Sequence, residues 1–215
     1  VMFNLAPNTK EYVATDLSDV IIEKNRAKLK ERGLDHVSVE PYSAIEVAKV
    51  QSANKFDAVV CSSVVHYFPN TIYLERVIKD SIDQLADRGI IYLDDLMDHA
   101  KKAALESSMS NYNSYYDVKT AKTNWDSDLF VDKSFFEDLQ KRFKVIESIE
   151  ITDKLGTIEN ELTRYRYDVL IKVNKEGVDE TVTTTEIYTP LNLLQKDTLN
   201  EIPEADQQLP FHLDT

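Results

Sequence analysis

The chain has 215 residues, 42% of them hydrophobic, and a formal net charge of −13; that is enough apolar content for one packed domain, and a surface too anionic for nucleic acid or an acidic membrane to be the main partner. A single cysteine, Cys61, excludes an internal disulfide framework and by itself builds no zinc site. No apolar run approaches the ~20 residues of a bilayer crossing, and the start lacks the order of a signal peptide, so the reading is of a cytoplasmic protein.

In chain order, EYVAT at 11–15 is β-rich and ends in Asp16, followed by SDVIIEKNRAKLKERG. Charges spaced between apolar positions there predict an amphipathic helix, with Ser18 as N-cap and Gly33 as the left-handed residue past its end. A short strand, HVSVE at 36–40, and a helical stretch around 43–52 lead to FDAVVCSS, an apolar strand that reads as buried. Its end is unusual: CSSVVHYFPN places two serines, an imidazole and two aromatic rings where a plain connection would be small and polar. After Pro69 the apolar positions Ile72, Leu74, Val77, Ile78, Ile82 and Leu85 mark a second amphipathic helix, closed by Gly89. GIIYLDDL at 89–96 is a further apolar strand ending in acids. Alternating strands and helices with short connections predict a parallel sheet covered on both faces, with ligands bound beyond the carboxyl ends of its strands.

The pattern then changes. HAKKAALESSM reads as helix and is followed by a long Tyr-, Asn- and Ser-rich segment, whose part at 112–125 is expected to act as a lid. DKSFFEDLQKRF at 132–143 reads as a capped helix. KVIESIEITDKL and ELTRYRYDVLIKV read as two strands of an antiparallel hairpin turning near Gly156. Residues 175–215 are acidic and polar with three prolines, and read as a linker or the approach to another region.

The motifs YVATDLS, FDAVVCSSVVHYFPN, DRGIIYLDDL and NELTRYRYDVLIKV, in that order across residues 1–174, resemble those of class I S-adenosylmethionine-dependent methyltransferases. The likeness is strongest to the N-methyltransferase domains embedded in nonribosomal peptide synthetases. It implies an α/β, Rossmann-like sheet with a C-terminal antiparallel hairpin, S-adenosylmethionine as cofactor, and methyl transfer to the amino nitrogen of a carrier-tethered aminoacyl or peptidyl group beside other synthetase domains. One departure stands out: the family's Gly-rich loop is missing, since none of the four glycines precedes Asp16. The first strand and that loop are therefore expected upstream of Val1, leaving this segment unstable or cofactor-deficient on its own.

By the same resemblance Asp16 would hold the ribose, with Leu17 and Ser18 lining its pocket, although Asp16 could equally cap the helix that follows. Ser43 and Ala44 occupy the adenine-side position, without the acid that relatives carry there. Ser62 and Ser63 would line the methionyl side. His66 and Glu161 would orient or deprotonate the amine, and Tyr67, Phe68, Asp95 and Arg164 would contact substrate, although Tyr67 and Phe68 could equally be core under the following helix and Arg164 the solvated face of the hairpin. An α-amino group has a pKa of about 8, so alignment rather than proton transfer should carry most of the rate. Paired acids such as Asp94 and Asp95 suggest magnesium, but with no further convergent acids in the sequence no metal is expected. The rival readings are a free small-molecule acceptor, a non-catalytic scaffold on the same fold, and a nicotinamide-dependent dehydrogenase.

Overall fold

The computed structural model describes residues 1–178 apart from 119–121, 155 and 157. The expected linker at 175–215 therefore lies, from residue 179 onward, outside the described residues. No described helix is long and apolar enough to cross a membrane.

A short helix α1 (Met2–Leu5) precedes strand β1 (Tyr12–Thr15), helix α2 (Asp19–Glu31) and strand β2 (Val37–Glu40), and β1 and β2 pair in parallel. The sequence signals for α2 hold. Ser18 accepts the Ile21 amide at 3.4 Å, and Gly33 has φ +65°, a conformation glycine adopts without strain. Ile22 and Leu29 face Val37, Val39 and Ala6 in a small core of their own.

The larger sheet contains β3 (Phe56–Ser62), β4 (Leu85–Asp98), β7 (Arg166–Asn174) and β6 (Ile146–Asp153) in that order, while the two-residue β5 (Phe130–Val131) pairs in parallel with the end of β4. β3 and β4 are parallel; β7 runs antiparallel to both β4 and β6. Helices α3 (Thr71–Gln84) and α5 (Ser134–Arg142) supply Leu74, Val77, Ile78, Phe136 and Leu139 to a core with Ile91, Leu93, Val169 and Ile171 of the sheet. Each such side chain contributes about 1.5–3 kcal/mol by leaving water. Inside that core the Tyr167 hydroxyl donates to the Val131 carbonyl at 2.9 Å, tying β7 to β5.

Several expectations are corrected. β3 is not a fully buried strand: among the described residues no strand pairs with its outer edge, and Val60 is 36% exposed. The stretch around 43–52 is a 3-10 helix, Ala44–Lys49. α3 ends at Gln84, and Gly89 lies within β4 instead of stopping the helix. The Tyr-rich segment begins as helix, because α4 (Lys102–Tyr116) continues to a left-handed Asp117 at φ 50°. A short helix α6 (Glu161–Tyr165), capped by Asn160, interrupts what reads as a simple hairpin between β6 and β7.

Gly89 marks a close approach of two strands. A Cβ there would meet the Asp57 carbonyl oxygen at 3.0 Å and Leu85 Cδ2 at 2.9 Å, beside the register shift between Phe56 and Ala58. Gly89→Ala should therefore destabilise by about 1–3 kcal/mol, read as a lower urea midpoint at unchanged slope.

Candidate active site at the strand ends

The end of β4 carries Asp94 and Asp95, two residues that would point to opposite faces in a regular strand. Here the β4–β7 register shifts between Leu93 and Leu96, and Asp95 takes φ +64°. The bulge turns both carboxylates toward one point. From the end of β3, the Ser62 hydroxyl donates to Asp94 at 2.8 Å, and Ser63, itself at φ +56°, donates to Asp95. Asp168 on β7 completes the group by accepting the Asp95 amide and the Tyr92 hydroxyl, each at 3.0 Å.

At the centre stands the Lys154 ammonium from the end of β6. It lies 2.7 Å from Asp95 and 2.8 Å from Asp168, and is also paired with Asp94. Burial would lower the Lys154 pKa, but its three carboxylate bonds outweigh that and raise it. Burial likewise pushes the Asp94 carboxyl up, and the bonds from Lys154 and Ser62 overcome it and hold the group below its ordinary value. Oxygens of Asp94, Asp95 and Asp168 lie within 4.8 Å of one another, close enough to hold a cation. The ground for expecting no metal, a lack of convergent acids, is thus corrected by Asp168. A cation is nonetheless supplied by the chain itself, as Lys154.

Next to this cluster the 3-10 turn Val65–Tyr67 buries His66 to 6% exposure. Burial first, and the Arg166 charge second, push its pKa down to about 4, against weaker pulls from Asp128 and Asp95. The imidazole is neutral at pH 7, and its Nδ1 is buried without a hydrogen-bond partner. Arg166 is itself buried and held by Glu161 through bonds of 2.8 and 3.1 Å.

The structure brings Ser62, Ser63 and Asp95 into one network and sets His66 beside it. Glu161 acts on that region through its guanidinium partner. Of the two readings of the aromatic pair, Phe68 takes that of core and not of substrate contact: it is buried in the main core, its ring 4.7 Å from Tyr73, whereas Tyr67 is 60% exposed. Arg164 is exposed and lies over Tyr165. Asp16 accepts the Ser18 amide at 2.8 Å in a turn that leads into the helix, whose N-cap is Ser18 and not Asp16, and Leu17 is 76% exposed beside it. Ser43 bonds to Glu46 at 2.7 Å while Ala44 packs against the main core. No hydrogen bond among the described residues joins Asp16 or Ser43 to the Asp94 cluster. Sequence reasoning missed Asp168, Lys154, Arg166 and Trp125. Asp168 alone carried a signal, as an acid set among the apolar residues of YDVLIKV.

Lys154→Met should cost about 3 kcal/mol near pH 7, because three converging acids would lose their counter-charge. The sign follows from the lowered Asp94 pKa: its contribution is complete above the unfolded value near 4 and fades as pH falls through the folded one. The gap in urea midpoint between wild type and Lys154→Met should therefore be full at neutral pH and narrow only below about pH 4, as the carboxylates protonate.

Comparison with known proteins agrees with this architecture. Residues 1–91 match a family described as a methyltransferase domain. A probable non-canonical nonribosomal peptide synthetase of Salinispora arenicola is 30% identical over 174 residues, 80% of this chain and 2% of that protein. The chondramide synthase of Chondromyces crocatus is 32% identical over 183 residues, again 80% of this chain, and 5% of that protein. The chain thus spans only a few per cent of the length of these relatives. The fold is similar to that of a solved S-adenosylmethionine-dependent methyltransferase from Clostridium acetobutylicum, with TM-score 0.54 and 14% identity over 80% of this chain and 79% of that one. Residues 1–91 thus match a methyltransferase domain, the fold is that of the S-adenosylmethionine-dependent methyltransferases, and nonribosomal peptide synthetases are the chain's sequence relatives.

Proposed function

We propose that the domain transfers a methyl group to the amino nitrogen of an aminoacyl or peptidyl group tethered to a carrier protein, within a nonribosomal peptide synthetase. The observation that carries this reading is the pairing of an acid-rich strand-end cluster with a buried neutral imidazole, in a chain whose relatives are synthetases. An acceptor amine is cationic until it loses its proton, so carboxylates attract it to the strand ends.

The residues present fit the cofactor. Asp16 engages Ser18 through Oδ1 alone, which leaves Oδ2 for ribose hydroxyls. Ser62 and Ser63 donate to Asp94 and Asp95, keeping lone pairs for a methionyl amino group, and the acids beside them suit a sulfonium charge. When bound, S-adenosylmethionine supplies an electrophilic methyl group. The strand-end acids would hold the acceptor nitrogen in line with that methyl group, and the proton of the amine would leave to solvent. His66 is too weak a base to take a proton from an ammonium of pKa about 8; it shapes the acceptor side and orients the nitrogen. Glu161 fixes Arg166, and Arg166 helps keep His66 neutral.

Two outcomes follow, measured on the full-length protein with isotopically labelled S-adenosylmethionine. Label should pass to an aminoacyl-loaded carrier at least about tenfold faster than to the free amino acid, and equal rates would favour a free acceptor. The pH profile of kcat/KM should rise toward the amine pKa near 8 with no further limb at pH 5–7. His66→Gln should retain that profile at a rate reduced by about tenfold or less, whereas loss of a limb near pH 6 in the variant would restore a base role.

A further inference from the structure

Among the described residues two side-chain nitrogens are buried without any hydrogen-bond partner, His66 Nδ1 and Trp125 Nε1. Buried donors in folded proteins are nearly always paired, so each such orphan requires an explanation. These two sit on segments joined to each other: the Leu129 amide donates to the His66 carbonyl at 2.8 Å, and the Asp128 amide donates to the Trp125 carbonyl at 3.1 Å.

The indole is held firmly. It is 7% exposed and packs with Met97, Leu105, Phe130 and Tyr165, between the end of β4 and helices α4 and α6. The Lys122 ammonium lies over its ring, 4.5 Å from the centroid, and is in turn paired with Asp128. Apolar packing explains a ring at this position, and phenylalanine would satisfy it. A nitrogen is explained only by something that accepts its proton. An indole N–H donates and never accepts, so the missing partner carries an acceptor atom.

An aminoacyl or peptidyl substrate brings one acceptor at fixed distance from its reacting nitrogen, the carbonyl oxygen of the acyl group. We infer that the Trp125 indole N–H, with His66 beside it, binds the acyl carbonyl of the substrate and thereby positions the amine for methyl transfer. The inference rests on the amine-methylation reading above and names the residue that recognises the acyl group beside the reacting amine. It also gives residues 122–129, which carry Trp125, a role as the acyl-recognition wall, tied to the His66 turn by the Leu129–His66 hydrogen bond.

The test compares two acceptors on the full-length protein: an aminoacyl pantetheine thioester, and its reduced analogue with a methylene in place of the carbonyl. Wild type should prefer the carbonyl substrate by at least about tenfold in kcat/KM, the size of one directed hydrogen bond. Trp125→Phe keeps the ring and deletes the donor. It should shrink that preference to within about threefold through a loss on the carbonyl substrate alone. Cofactor affinity should be unchanged and thermal midpoint equal or higher, since a buried orphan is removed. Replacing Trp125 by 3-benzothienylalanine, which has the indole shape without the N–H, should give the same result, and it decides the matter if the phenylalanine variant fails to fold. An undiminished preference in either folded variant, or equal losses on both substrates, overturns the inference. Wild type that methylates both acceptors equally well also overturns it and leaves amine methylation standing, whereas wild type that methylates neither overturns the functional reading itself.

Discussion

Three carboxylates from two neighbouring strands face one another at the end of this sheet because a lysine stands between them. Without the Lys154 ammonium, Asp94, Asp95 and Asp168 would repel across less than 5 Å in a partly desolvated site, at a cost of several kcal/mol. With it, the bulge in β4, the left-handed backbone at Asp95 and Ser63, and the serine hydroxyls of β3 settle into one hydrogen-bonded set. Strands β3, β4, β6 and β7 are thereby joined at the end where they present their polar groups. The sheet order places β7 between β4 and β6, so that Lys154 reaches across β7 to the acids of β4.

The neighbouring electrostatics work in the opposite sense. His66 lies close enough to Arg166 to feel its charge, and burial adds to that effect, so the imidazole stays neutral across the physiological range. A neutral imidazole beside acids does not repel an ammonium as it approaches the strand ends. It also does not act as a base of any strength. On the proposed reading the domain attracts and aligns an amine, leaving deprotonation to the amine's own equilibrium with water, so that geometry carries the rate. The bidentate Glu161–Arg166 pair belongs to this arrangement as its electrostatic support.

Much of this was legible in the sequence. Ser18 and Gly33 predicted both ends of α2 because capping and left-handed backbone are local chemistry. The alternation of apolar runs predicted the order of β1 to β4, and the serines, histidine and acids of the strand ends were visible as residues with no reason to be in plain loops. What could not be read were partners brought together over long separations. Asp168 is 74 residues from Asp94 and Lys154 is 60 from it, and no local pattern marks a lysine as the counter-ion of acids two strands away. Gly89 was misread for a related reason: a glycine at a helix end and a glycine under a neighbouring carbonyl look alike until the strand beside it is placed. Phe68, in turn, belongs to the core, because burial is decided by what packs on the turn, here Tyr73 of α3.

The central claim is that a methyl group reaches nitrogen, and it is tested most directly by where that group lands. The full-length protein, supplied with cofactor carrying a deuterated methyl group and with its aminoacyl-loaded carrier, should yield a product in which fragmentation mass spectrometry places the deuterated methyl on the amino nitrogen. A label found on a carbon or an oxygen of the acyl group, or no label on the carrier-bound product, would contradict the account.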